Sequence, residues 1–250
     1  MLIVYESRIK RFSQLIKDSN NIVFFGGAGV STESGMKDYR SEDGLYNTVR
    51  QYNVSPETIL SRSFFERHPD VFYDFYYNYF LNTTAKPNRA HYALAQLENA
   101  GKLKAVVTQN IDGLHQQAGS KNVIELHGTV LKHHCPACHA AMSYKQVKAL
   151  RGQIPICCNC GHTVKPDVVL YEEPLNEQVI KSAICAISSA DLLIIGGTSL
   201  AVYPAAGFIR YFTGGNIVLI NREETQVDGV ATLVFRESIG EVLSEAIKDL

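Results

Sequence analysis

Short runs that are apolar at every position recur along this chain. Ile22-Val23-Phe24-Phe25 and Leu192-Leu193-Ile194-Ile195 are the clearest. The run at 168–171 and the mostly apolar runs at 104–108, 123–126, 216–220 and 232–235 complete a set of candidate strands. Strands with no polar face belong in a parallel sheet covered by helices on both sides. Helical spacing falls between them: Ile9, Phe12, Leu15 and Ile16 mark a helix over 7–19, and further patterns lie around 89–100, 176–189, 204–212 and 239–249. This alternation predicts an α/β fold built on a Rossmann-like parallel sheet.

Two stretches break the alternation. Residues 36–85 hold no strand pattern but carry a dense aromatic block, Phe72 to Phe80. The block reads as helical core or as the wall of a hydrophobic channel. Residues 131–165 hold cysteines and turn residues and read as a small metal module inserted into the sheet domain. The expected division is a large domain of about 1–35, 86–130 and 166–250, a helical module of about 36–85 and a zinc module of about 131–165.

Composition narrows the classes. Of 250 residues 46% are hydrophobic and 20% charged, enough apolar material for a full core. The formal net charge is −1 and no long basic run occurs, so stable nucleic-acid binding is not expected. No apolar run approaches the roughly 18 residues of a membrane span. The start, Met1 to Glu6, turns polar too early for a signal peptide. The expected location is the cytoplasm, away from any membrane.

That compartment disfavours disulfides. Cys135-Pro136-Ala137-Cys138 and Cys157-Cys158-Asn159-Cys160 are separated by 18 residues. Two such knuckles bring Cys135, Cys138, Cys157 and Cys160 into tetrahedral reach of one Zn²⁺. A closed four-thiolate site leaves no position for water, so its role would be structural. Cys158 sits inside a knuckle and is left out. His133, His134, His139 and His162 flank the site but are not needed. Cys185, in a helical pattern, reads as a small buried apolar residue.

Gly27-Ala28-Gly29-Val30-Ser31-Thr32 follows the first strand and begins like a dinucleotide-binding turn. Its sixth position is Thr32 rather than Gly, the usual acidic partner is missing, and no Lys-Ser/Thr pair makes it a P-loop. Other strand ends strengthen it: Thr108 to Gly113, Gly196 to Leu200, and Asn221-Arg222. Ligands of open parallel sheets bind at the carboxyl ends of strands, so these segments would face one crevice.

The motifs GAGVSTESG with DYRSEDGLY, TQNIDGLH, ELHGT, the cysteine quartet, KPDVVLYEE and GTSLAVYPA follow one another over nearly the whole chain. Together they resemble the sirtuins, NAD-dependent protein-lysine deacylases, in their short bacterial form. The resemblance implies one catalytic unit over 1–250. It would remove acetyl or another neutral acyl group from lysine of a protein or peptide, yielding nicotinamide and O-acyl-ADP-ribose. NAD and one structural Zn²⁺ are the implied cofactors. By matching position, Gly27, Ala28, Thr32, Tyr39, Arg40, Gln109, Ile111, Asp112, Gly197, Thr198, Ser199, Asn221 and Ile239 would contact NAD. His127 would be the catalytic base, with Asn110 and Asp112 orienting the nicotinamide ribose. A histidine near its ordinary pKa of ~6.5 suits that role. Val168, Val169 and Tyr171 would pair with the substrate peptide by strand addition.

The chain departs from the family pattern with Lys37 for Pro, Tyr39 for Phe and Glu172 for a frequent Gly. Glu172 and Glu173 side by side predict a preference for substrates with basic flanks. Desuccinylating relatives pair a Tyr with an Arg three residues later; here the positions are Tyr76 and Tyr79, which predicts a neutral acyl group. Two other readings stay open: an NAD glycohydrolase or ADP-ribosyltransferase, and a non-catalytic NAD-sensing module. The segment Val168 to Tyr171 weighs against the first, and intact His127 and Asn110 against the second.

Overall fold

The structure is a computed structural model, and residues 2–36, 52–81 and 84–250 are described. The strands in chain order are β1 (Ile22–Gly26), β2 (Leu103–Thr108), β3 (Val123–Glu125), β4 (Gly128–His134), β5 (Ala141–Ser143), β6 (Lys165–Val168), β7 (Leu192–Gly196), β8 (Asn216–Ile220) and β9 (Leu233–Phe235). Six of them form a parallel sheet in the order β3-β2-β1-β7-β8-β9.

The unbroken apolar runs are explained by two-sided burial. Every residue of β1 and β7 is buried. Phe24, Leu192, Ile194, Val218 and Ile220 point into one core, with Phe12 and Ile16 of helix α1 (Leu2–Asp18). Val23, Phe25, Leu193, Ile195 and Leu219 point into the opposite core. A pleated strand sends successive side chains to opposite faces, so both faces need apolar residues. Emptying one such site, as in Phe24→Ala, would cost about 3–5 kcal/mol.

Helices α2 (Pro56–Ile59), α3 (Arg62–Arg67) and α4 (Pro69–Tyr76) fill the region between the first two strands, and α4 continues through the turn Tyr77–Leu81. Ser55 and Ser61 cap α2 and α3, accepting hydrogen bonds from Thr58 N–H and Phe64 N–H at 3.2 Å. The aromatic block answers to both sequence readings. Phe72, Tyr73, Phe75, Tyr76, Tyr77 and Phe80 form a core of their own, while Phe72, Tyr76 and Phe80 also wall a cavity.

Helix α5 (Arg89–Asn99), capped by Asn88, and the short α6 (Leu114–Gln117) flank β2. Helix α7 (Tyr144–Ala149) lies beside the second sheet, and α8 (Glu177–Ser189) and α9 (Ile239–Ala246) complete the layers on the parallel sheet. The pattern at 204–212 forms a 3₁₀ helix, Ala205–Tyr211.

The second sheet is antiparallel, in the order β5-β4-β6. It begins and ends inside the two stretches assigned above to the large domain. It also corrects the strand expected at 168–171. That run gives only Val168 to β6 and continues as extended chain to Tyr171, which bridges Ser61. It leaves the parallel sheet because β6 pairs with β4. Gly128 makes that pairing close: it sits at φ +75°, and a Cβ there would lie 1.9 Å from the Asp167 carbonyl oxygen. Cys185 is also corrected, since it lies exposed on α8 and not in the core.

Candidate active site

The register aligns Gly26 of β1 with Thr108 of β2 and Gly196 of β7. Three neighbouring strands therefore end side by side, and the turns that follow them meet. Gly29 N–H donates to the Gly197 carbonyl at 2.8 Å. Gly197 has φ +58°, and a Cβ there would lie 2.4 Å from Val30 N. The two turns touch backbone to backbone, which only glycine permits at this distance.

These turns border a cavity of about 390 Å³. Gly27, Ala28, Gln109, Ile111, Gly197, Thr198 and Ser199, all expected at a cofactor, line it. So do Asn110, Asp112 and His127, and so do Val168, Val169 and Tyr171 from the chain after β6. Thr32, Asn221 and Ile239 are not brought to that wall. Thr32 Oγ1 donates to the Gly29 carbonyl at 2.9 Å, and the Asn221 amide donates to the Glu223 carbonyl at 2.9 Å. Ile239 is buried in the core at the start of α9, where its Cδ1 fills the space above Gly196. Tyr39 and Arg40, together with Lys37, lie outside the described residues.

A residue the sequence reading passed over organises the polar end. Ser31, 2% exposed, donates to Asp112 Oδ2 at 2.7 Å and accepts from Asn110 Nδ2 at 3.1 Å. Asp112 Oδ1 accepts from Leu114 N–H at 2.9 Å. Gln109 Nε2 donates to Thr198 Oγ1 at 3.1 Å, tying the β2 turn to the β7 turn. The available signal for Ser31 was its place between Gly29 and Thr32 at the mouth of the turn.

His127 Nδ1 lies 2.9 Å from the Gln109 carbonyl oxygen. A carbonyl only accepts, so Nδ1 carries the proton and Nε2 the lone pair. Burial pushes the His127 pKa down, and the Gln109 bond opposes this. The ring is therefore displaced from the ordinary value expected above, toward the neutral form that a base requires. The two members of the acidic pair meet different partners. Glu173 turns inward to Arg62 and Lys165, at 3.0 and 2.9 Å. Glu172 accepts from Ser63 N–H and Oγ at 2.8 and 2.9 Å. Both carboxylates are held by protein donors, and Glu172 stays exposed in the cavity lining.

The Sγ atoms of Cys135, Cys138, Cys157 and Cys160 all lie within 4.8 Å of one another. Zn–S bonds of about 2.3 Å would place tetrahedral sulfurs roughly 3.8 Å apart. The donor set and its spacing fit one Zn²⁺. Two of the flanking histidines bond elsewhere, His133 Nε2 to Tyr76 Oη at 3.1 Å and His134 Nδ1 to Asp167.

A parallel sheet whose central strand ends carry glycine turns, a cysteine tetrad, and a histidine lining one cavity with those turns make up the site. A family model described as the Sir2 family matches residues 27–204. The chain is 58% identical to an NAD-dependent protein deacetylase of Clostridium perfringens, covering 97% of this chain and 99% of that protein. It is 53% identical to one of Clostridium tetani, covering 96% and 98%. A solved structure of a Sir2 with a p53 peptide and NAD⁺ superposes with a TM-score of 0.85 at 37% identity, covering 96% of this chain and 98% of that one. Another, with deacetylated p53 peptide and 3′-O-acetyl ADP-ribose, gives 0.88 at 36%, again covering 96% and 98%. The chain belongs to the Sir2 family.

Proposed function

We propose that this protein removes acetyl groups from lysine side chains of proteins, consuming NAD and releasing nicotinamide and O-acetyl-ADP-ribose. The observation that carries the reading is the His127 ring, with its lone pair fixed on Nε2, lining one cavity with the β1, β2 and β7 turns and the chain 168–171. NAD, as substrate, supplies a ribose carbon that becomes electrophilic when nicotinamide leaves. The acyl oxygen would bond to that carbon as its bond to nicotinamide breaks. His127 would then take a proton from a ribose hydroxyl so that the hydroxyl oxygen can bond to the acyl carbon. Water would complete the transfer, the acyl–nitrogen bond breaking to leave free lysine and O-acetyl-ADP-ribose.

The remaining residues position and exclude water. Ser31 holds Asn110 and Asp112 together at the end where nicotinamide and its ribose would sit. The glycine backbones of both turns would approach the phosphates, with Gln109 and Thr32 in the same cofactor site; Thr198, Ser199 and Asn221 would hold the adenosine half, and Tyr39 and Arg40 would lie over the nicotinamide ribose, all by matching position. Val168, Val169 and Tyr171 would pair with the peptide. Phe72, Tyr76 and Phe80 would enclose the acyl group. Among the described residues no Lys or Arg lines the cavity, which supports a neutral acyl group.

The zinc module would be structural: its four thiolates fill a tetrahedral ion's coordination, and they stand apart from the cavity lining. The deciding experiment measures nicotinamide release with and without an acetyl-lysine peptide. Release that depends on the peptide, with equimolar O-acetyl-ADP-ribose, is expected. Equal release without peptide would establish an NAD glycohydrolase instead.

A further inference from the structure

The chain that follows β6 is gripped by ion-paired side chains. Lys165 Nζ donates to the Val168 carbonyl at 2.7 Å, and Glu173 Oε2 accepts from Leu170 N–H at 2.9 Å. Lys165 and Glu173 pair with each other at 2.9 Å, and Glu173 Oε1 accepts from Arg62 at the head of α3 at 3.0 Å. Lys165 is 6% exposed. Burial pushes its pKa down, and Glu173 opposes the shift. Burial alone would raise Glu173, but the Leu170 N–H bond and Lys165 outweigh it and hold this carboxyl below its usual range.

The same chain is tied to the helical module a second time. Tyr171 N–H donates to the Leu60 carbonyl, and Arg62 N–H to the Tyr171 carbonyl, both at 3.0 Å. Glu172 stands at φ +75°, a costly conformation for a residue with a Cβ. Its carboxylate on Ser63 N–H and Oγ holds it there. Leu170 meanwhile packs in one core with Phe72, Tyr76 and Phe80, with Val168 against it. The gripped chain and the helical module are thus packed together, and both line the cavity.

A buried ion pair adds little to stability compared with apolar residues of the same volume, but it fixes position through directional bonds. We propose that Lys165, Glu173 and Arg62 form a positioning clasp that sets where the chain 168–171 sits against the helical module, and with it the fit of the acyl-lysine. The proposal rests on the reading of that chain as the peptide-pairing segment. Lys165 and Arg62 do not line the cavity, and Glu173 lines it beside Leu170. Their effect passes through Val168 and Leu170.

The test compares the full-length wild type and Glu173→Gln, varying NAD and peptide separately, with acetyl- and butyryl-lysine peptides. The expected result is a peptide KM raised about tenfold, an NAD KM within about twofold of wild type, and an acetyl-to-butyryl kcat/KM ratio changed at least about threefold. A folded variant with wild-type peptide KM and ratio overturns the clasp. So does an equal rise in both KM values, which marks general loosening. If Glu173→Gln does not fold, Arg62→Ala decides, because that side chain is 42% exposed and loses one arm only. It should move the ratio in the same direction at unchanged Tm, and an unmoved ratio overturns the proposal. A wild type without peptide-dependent nicotinamide release overturns the deacetylase reading itself. An active wild type matched by its variants overturns the clasp alone.

Discussion

The His127 ring donates from Nδ1 to the backbone carbonyl of Gln109 at 2.9 Å, so the turn after β2 both lines the cavity and selects the tautomer of this histidine. His127→Ala should lower kcat for deacetylation by about 10²–10⁴-fold, the usual worth of a general base. NAD binding, followed by calorimetry, should persist. Wild-type deacetylation by the alanine variant would remove His127 from the mechanism.

The pH profile follows from the same bond. Because burial lowers the His127 pKa, its neutral form survives below the ordinary ~6.5. The acid limb of kcat/KM should therefore lie below pH 6.5, and a limb above it would contradict the buried environment.

Ser31→Ala removes one donor from Asp112 and one acceptor from Asn110 while leaving the backbone turn intact. The expected loss in kcat/KM is about tenfold, corresponding to roughly 1–1.5 kcal/mol for a buried hydrogen bond. Activity within twofold of wild type would show that Asn110 and Asp112 hold their places unaided.

Stability should depend on pH through His91 and His115, buried rings whose centroids lie 4.7 Å apart. Burial lowers both, and brings His115 to about 3. An unfolded histidine titrates near ~6.5, so below that pH the unfolded chain binds protons that the folded one refuses. Stability is thus full above about 6.5 and falls with acidification, at about 1.4 kcal/mol per pH unit for each histidine. Urea unfolding at pH 7 and pH 5 should show a slope smaller by about one proton in His115→Gln. Equal slopes would refute this.

Removal of Zn²⁺ by a chelator should lower Tm and abolish activity, with recovery on adding Zn²⁺ back. Cys138→Ser should do the same, whereas Cys158→Ser should retain one zinc per chain by metal analysis. Loss of zinc in Cys158→Ser would reassign the ligand set.

Much of the fold was legible because two-sided burial leaves a direct trace. The runs at 22–25, 192–195 and 216–220 have no polar face, and each became a strand of the parallel sheet. The cysteine tetrad was legible from spacing. The run 168–171 was misread because an apolar segment does not state its partner. The donors that hold Glu172 and Glu173 were not legible, because adjacency in sequence says nothing about which groups a carboxylate meets.

The sequence by itself determined the strands of the parallel sheet, the glycine turn and the zinc knuckles, since each depends on local composition and short spacing, while the candidate base was marked by the resemblance of the motif around His127. Tertiary structure alone decided that Ser31 joins Asn110 to Asp112, that Gln109 fixes the His127 tautomer, and that Arg62, Lys165 and Glu173 meet at one wall. Those contacts link residues far apart in the chain. They exist only because strand register brings separate turns to one edge, which is a property of the whole sheet and not of any segment.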